Sequence, residues 1–525
     1  MSLAIPSPAV QPLRTVTYQS RGRLLLIGPV TAITAALPEV AGVDVSVLLL
    51  APPETRPEYG VPTLVAEAVT SLSGYLGAFR VQARTAEGTV SVAAALGQAE
   101  DCFDLILDLC PSPLLSRPVP PPGYHGSAGQ PGRLQPALKE LAGLRGVFEK
   151  PRYFDYEAGL CAHSARALSG CSNCLRACPA EAISSEAGAI VVDPHLCQGC
   201  GICATVCPSG AMRYAWPGVD ESLRQIRAAL AACPTAADTA PLLVLHNSEA
   251  GAALIQAAAP LPADIIALPL EQVSAAGMEL WCAALAYGAG TVLILSNGTI
   301  EAAVRAELEW QMELAGTLLE AMGHERDRIR HLSVGDDAAL RDAMEHMPRY
   351  PALAHSGFEP LGDKREILRR ALDELLAPAA TLPAPLTLTE GAPFGALQVD
   401  TQACTLCMAC VTVCPMNALS DGVDLPRLAF QEDACVQCGL CRQACPEEAI
   451  TLLPRFDFDS AEAGRTRVLH AAEVFNCISC GKPFATASMI ATITSRLADN
   501  PMFRENGMDA LRMCADCRVR SHFHA

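Results

Sequence analysis

Basic charge is scarce in this chain. Lys and Arg together number 38 against 56 Asp and Glu, a formal charge of −18 at pH 7. A protein whose main task is holding nucleic acid needs a basic footprint for phosphate, so the composition argues against that class. Long apolar runs are missing too. The longest, around Ala283–Leu295, is interrupted by Gly288 and Gly290 and falls short of the roughly 20 residues of a membrane span. The N-terminal MSLAIPSPAVQPLRTV has no basic region leading into an apolar run, and no twin-arginine pair. A secretory leader is therefore not expected, and a cytoplasmic location is. No P-loop, G-x-G-x-x-G turn, paired carboxylates or nucleophile–base set stands out. Charged residues are only 18%, but 50% are hydrophobic. That is the composition of a folded chain, and the length leaves room for about three to five domains.

Cysteine, in contrast, is abundant, with 24 residues. In a cytoplasmic chain cysteines serve as metal ligands or catalytic groups more often than as disulfides. Their spacing repeats. Cys197-x2-Cys200-x2-Cys203-x3-Cys207-Pro208, Cys404-x2-Cys407-x2-Cys410-x3-Cys414-Pro415 and Cys435-x2-Cys438-x2-Cys441-x3-Cys445-Pro446 share one pattern. Three closely spaced thiolates let one loop wrap a metal cluster at three corners. The proline after the fourth cysteine stops a helix and removes a backbone donor.

A fourth run departs from this pattern. It reads Cys171-x2-Cys174-x3-Cys178-Pro179, with Leu168 where a first cysteine should stand. The intact runs are each entered by an apolar residue, a polar one, three more residues and then cysteine. Tyr156-Glu157-x3-Cys161 repeats that entry, so Cys161 is the expected first ligand, followed by a looped-out segment. A three-cysteine or [3Fe–4S] site, or ligation by His163, stays open. The exits repeat as well: two residues after each Cys-Pro come Ala182-Ile183, Ala211-Met212, Ala418-Leu419 and Ala449-Ile450. A small alanine suits close approach to a cluster, and the aliphatic residue keeps water away.

With these motifs in hand, residues 152–216 and 394–455 each resemble a two-cluster bacterial ferredoxin. The resemblance implies a small pseudo-symmetric α+β module with two short helices, and low-potential one-electron transfer. It also implies ligands that cross between motifs. The first cluster takes Cys161, Cys171, Cys174 and Cys207, and the second Cys178, Cys197, Cys200 and Cys203. The third takes Cys404, Cys407, Cys410 and Cys445, and the fourth Cys414, Cys435, Cys438 and Cys441. Four [4Fe–4S] clusters are thus expected. Each adds about −2 with its four thiolates, and an acidic surface steers the chain toward a redox enzyme with a basic docking patch. Long iron–sulfur proteins of this layout resemble those that accompany molybdenum- or tungsten-dependent formate dehydrogenases.

Cys477-x2-Cys480-Gly481 and Cys514-x2-Cys517 remain, in a C-terminal segment spanning 470–525. Two such knuckles read as a closed four-thiolate site, with zinc the expected metal. A rubredoxin-like iron, a fifth cluster or bare thiols stay open. Cys102, Cys110, Cys233 and Cys282 lie at no ligand spacing and are expected to be buried structural thiols.

The rest has α/β texture. Residues 1–110 are expected to form one small α/β domain, with strands at Arg23–Pro29, Val43–Leu50 and Phe103–Leu109. Residues 111–136 are Pro/Gly-rich and read as a linker. Residues 240–335 read as a second α/β domain, with strands at Leu242–Leu245, Asp264–Leu268, Thr291–Leu295 and Ile329–Val334. Its Ala263–Leu295 segment resembles the delta subunit of methyl-viologen-reducing hydrogenases, without that family's cluster cysteines. Residues 336–393 read as a helix, Asp363–Leu376, and a further linker. The expected architecture is therefore multidomain: two ferredoxin-like α+β modules, two small α/β domains and a C-terminal four-cysteine segment. The expected function is electron relay. The alternative is a non-conducting assembly factor or scaffold, and a third possibility is an enzyme carrying a flavin.

Overall fold

The computed structural model describes residues 14–40, 44–52, 58–165, 167–233, 240–298, 300–376, 381–422, 425–498 and 507–523. The N-terminal domain centres on a five-stranded parallel sheet. Its strand order is Thr63–Ala66, Val45–Leu50, Leu24–Gly28, Leu105–Asp108 and Tyr124–His125. Every residue of Leu24–Gly28 and Leu105–Asp108 is buried, as both faces of a parallel sheet must be. An antiparallel sheet of Ala68–Ser73, Arg80–Thr85 and Gly88–Ser91 covers one face through Val81 and Ala83. The first strand, Thr15–Ser20, pairs with Gly146–Pro151 just before the first cysteine-rich module.

The stretch 111–136 is not a free linker. It supplies Tyr124–His125 as the edge strand of this sheet, and it leads into the helix Leu134–Ala142. A buried carboxylate explains why. Asp108 accepts hydrogen bonds from the backbone N–H groups of Cys110 and Leu114 and from the Tyr124 hydroxyl, at 2.7–2.9 Å. A buried charge must be satisfied in this way, and the Pro/Gly-rich chain wraps round to do so.

The second α/β domain is a four-stranded parallel sheet in the order Ile265–Leu270, Leu242–Asn247, Thr291–Ser296 and Ile329–Ser333. The helix Met278–Ala286 is buried at all nine positions. It packs beneath the helix Lys364–Leu376, whose Ile367, Leu368, Leu372, Leu375 and Leu376 are buried on one face as the periodicity predicts. The following segment, read from sequence as linker, also packs. Leu386–Thr387 pairs with the strand Ile450–Phe456, and Leu388 and Ala392 are buried; residues 377–380 lie outside the described ones.

Each cysteine-rich module is built around two strand pairs and two short helices. In the first, Phe154–Tyr156 pairs with Met212–Tyr214 and Ile183–Glu186 with Ala189–Val192, with helices Asn173–Ala177 and Ile202–Thr205. In the second, Gly395–Val399 pairs with Ile450–Phe456 and Leu419–Gly422 with Leu425–Phe430, with helices Ala409–Thr412 and Leu440–Ala444. Among the described residues no helix is long and apolar enough to cross a membrane.

Candidate metal centres

The ligand loops hold a repeated backbone conformation. In the three intact runs, the residue before the second cysteine and the one after it are left-handed: Gly199 and Gly201, Leu406 and Met408, Gln437 and Gly439. Leucine, methionine and glutamine adopt that region at a cost, so their surroundings must enforce it. Successive N–H groups in such turns face inward and form an anion-binding concavity. A second repeat follows the Cys-Pro pairs. Glu181, Gly210, Asn417 and Glu448, each three residues beyond a cysteine, all have positive φ. The turn delivers an amide to that cysteine's sulfur: Ala182 to Cys178, Met212 to Cys207 and Ala449 to Cys445, at 3.3–3.4 Å. The exit residues Ala182, Ala211, Ala418 and Ala449 are buried, as are Ile183, Met212, Leu419 and Ile450.

The thiols that influence one another cross between motifs. Burial pushes Cys171 and Cys174 up, the latter to about 12, and the thiols that reinforce the shift in both are Cys161 and Cys207. Cys203, Cys200 and Cys197 are raised by burial and by Cys178. Cys404 is raised by burial and by Cys445 and Cys407. Burial lifts Cys410 to about 11, helped by Cys404 and Cys407. Cys435, Cys438 and Cys441 are raised by burial and by Cys414. Thiolates crowded in dry surroundings are unfavourable unless a cation neutralises them. The donor chemistry of all four sets therefore fits an iron–sulfur cluster.

The segment between Cys161 and Cys171 folds back on itself. Ser164–Ala165 pairs with Leu168–Ser169 as a hairpin, with residue 166 outside the described ones. At its base Gly170 N–H donates to His163 O and Cys171 N–H to Ala162 O. Nine intervening residues thus close on themselves and return Cys171 beside Cys161. Both ring nitrogens of His163 are engaged, Nδ1 with Cys171 O and Nε2 with Ser185 Oγ, each at 2.8 Å. That leaves the imidazole no nitrogen for a metal.

Cations from outside the modules reach the ligand loops. Lys150 Nζ donates to the carbonyl oxygens of Cys197, at 2.6 Å, and His195, at 2.9 Å. Burial pulls this ammonium down to about 8, against the opposing pull of Cys197 and Asp193. His195 stacks on Tyr75, ring centroids 4.1 Å apart. Lys364 Nζ donates to Ala204 O and Thr205 O, and Arg365 Nη2 to Asp433 O and Cys435 O. The second α/β domain touches the same region: Ser274 Oγ donates to Cys200 O at 2.6 Å. A β-carbon on Gly201 would stand 2.4 Å from that of Ala275.

The C-terminal site differs in scale. The sulfurs of Cys477, Cys480, Cys514 and Cys517 all lie within 4.8 Å of one another, with Cys480 and Cys514 3.7 Å apart. A tetrahedron with metal–sulfur bonds of about 2.3 Å has edges of about 3.8 Å. The group could hold one metal ion, and it is too compact for the eight-atom core of a cubane. Cys477 opens the turn after Val474–Asn476, where Gly481 has φ +74° and its N–H donates to Cys477 O. Burial acts to raise the Cys477 thiol, but the N–H groups of Cys514, Cys480 and Ser479 hold it down at about 6. Cys102, Cys110, Cys233 and Cys282 belong to no such group among the described residues. Cys110 and Cys282 are buried, and burial raises both to about 12.

Residues 169–211 and 396–450 each match a 4Fe-4S dicluster domain. The two domains indicate an iron–sulfur electron-transfer protein. The first match begins beyond Cys161. Compared whole, the chain matches no curated protein.

Proposed function

We propose that the chain relays electrons through four [4Fe–4S] clusters held by the sixteen cysteines of its two modules, with a single structural metal, zinc, at the C-terminal thiolates. The observation that carries this reading is one ligand-loop conformation, left-handed on both sides of the second cysteine, repeated at Cys200, Cys407 and Cys438 in the two modules. When bound, such clusters supply one-electron chemistry. The residues supply dry walls, amide donors to sulfur and nearby cations, which set potential. Cys407 is exposed, so the third set lies at the surface, where a partner can dock. The net charge of −18 favours a partner with a basic face, and a formate dehydrogenase is the proposed one.

The test is to mix the oxidised holoprotein with a formate dehydrogenase and formate, and to follow bleaching of the cluster absorption. Bleaching at a rate that falls with added salt supports the pairing. No bleaching, in a sample that dithionite readily reduces, removes this partner and leaves the relay.

A further inference from the structure

The two modules touch, and they touch through the segment that departs from the repeat. Gln443 Nε2 donates to Ser169 O at 2.7 Å. Residues of Leu168–Ser169 and of the helix Leu440–Ala444 approach within 8 Å, Cα to Cα. A β-carbon on Gly170 would stand 2.8 Å from Leu440 Cγ and 2.5 Å from Ala162 O, so only glycine allows this approach. Gly170 immediately precedes Cys171, and Leu440 stands between Cys438 and Cys441. On each side the contact residue is directly followed by a ligand cysteine, Cys171 and Cys441.

A second element holds the junction from behind. Lys364 and Arg365 are consecutive on one helix and reach into different modules. Lys364 grips the turn between Cys203 and Cys207 through Ala204 O and Thr205 O, at 2.8 and 2.6 Å. Arg365 grips the entry to the Cys435 run through Asp433 O and Cys435 O, at 2.7 and 3.1 Å.

We infer that the hairpin inserted between Cys161 and Cys171 is an inter-module bridge, which seats the first cluster site beside the fourth and makes one continuous electron path of four sites. The inference rests on the electron-transfer reading above. Packing gives the order. Cys174 of the first set and Cys203 of the second lie in one apolar cluster, Cys410 of the third and Cys441 of the fourth lie in another, and the contact of Gly170 with Leu440 joins the first set to the fourth. The path therefore runs second, first, fourth, third, and its far end is the exposed Cys407. Across the bridge one electron leaves a reduced cluster in one module and enters an oxidised cluster in the other; no atom moves. The extra residues, read alone, look like a defect in a ligand motif. Their position makes them the joint between two halves of the relay.

The test replaces the nine residues between Cys161 and Cys171 by two, restoring the common spacing while keeping every cysteine. Full-length native and shortened holoproteins are reduced with dithionite and compared by EPR line shape and power saturation at equal iron and sulfide content. The bridge predicts that the native chain behaves as four interacting spins and that the shortened chain loses the inter-module broadening, giving two separate pairs. Identical spectra would overturn the bridge while leaving the relay intact. Absence of reducible clusters in both chains would overturn the relay itself, and the bridge with it. Should the shortened chain fail to hold full iron, Leu440→Ala combined with Gln443→Ala removes the contact from the other side. It is read by the same criterion: loss of broadening supports the bridge, and an unchanged spectrum overturns it.

Discussion

Lys150 donates to the carbonyl oxygen of Cys197 at 2.6 Å, placing a cation from the N-terminal domain against the first ligand of the second cluster site. Arg365 stands in the equivalent place at Cys435, 3.1 Å away. A nearby positive charge favours the reduced, more negative state of a cluster. Lys150→Met should therefore make one of the four potentials more negative, on the order of 50 mV, close to the 59 mV of a tenfold change in a one-electron couple. Potentiometric EPR reads this directly. Four unchanged potentials would mean that the contact is only structural.

Cys161 decides whether the first site is complete. Cys161→Ala should lower the iron content by a whole cluster, or leave a three-iron centre visible by EPR in the oxidised protein. His163→Ala should do neither, because both ring nitrogens are already hydrogen-bonded. Normal iron and spectra in Cys161→Ala would remove this cysteine from the ligand set.

The C-terminal segment has little core of its own. Its small cluster comprises Cys477, Cys514 and Cys517, with Phe484 and Met513 against them. Metal binding should supply much of its folding energy. Treatment with a zinc chelator should abolish hydrogen-exchange protection in Ala487–Leu497 and Ala515–Phe523 while the cluster absorption persists. Unchanged protection after metal loss would show that the segment folds on its own.

In the N-terminal domain, Asp104 holds Arg23 with both side chains buried. Arg23 Nη2 lies 2.7 Å from Asp104 Oδ1, and Asp104 Oδ2 accepts from the backbone N–H groups of Arg21 and Arg23 at 2.9 Å. Asp104→Ala removes the buried counter-charge and leaves the guanidinium only the half-exposed Glu100, 3.0 Å away. That should destabilise the domain by about 3–5 kcal/mol, seen as faster exchange in Leu24–Gly28 and Leu105–Asp108. Native exchange rates would contradict the assigned role.

The central strands of the N-terminal sheet and the four of the second α/β domain were legible because each is a short apolar run between turn signals: Leu24–Gly28, Leu242–Asn247 and Thr291–Ser296 all fall where the pattern puts them, whereas Thr63–Ala66 and Tyr124–His125 were not read. The cysteine runs were legible because ligand chemistry dictates their spacing. The linker reading of 111–136 failed for a physical reason. Composition registers proline and glycine, but not the buried Asp108 that draws Tyr124 into the sheet. The left-handed turns at Glu181, Asn417 and Glu448 left no compositional trace either, since none of the three is a glycine. Their only sign in the sequence was a fixed place three residues after a ligand. The hairpin's second role was hidden because its partners, Leu440 and Gln443, lie some 270 residues further along the chain.

The most direct test of the whole account is iron and sulfide analysis of the anaerobically purified protein, joined to EPR during a potentiometric reduction. The account predicts about sixteen irons per chain, with interacting reduced [4Fe–4S] signals appearing at low potential. Full iron with no reducible cluster would contradict it, and would turn the sixteen cysteines from a relay into the scaffold of an assembly factor.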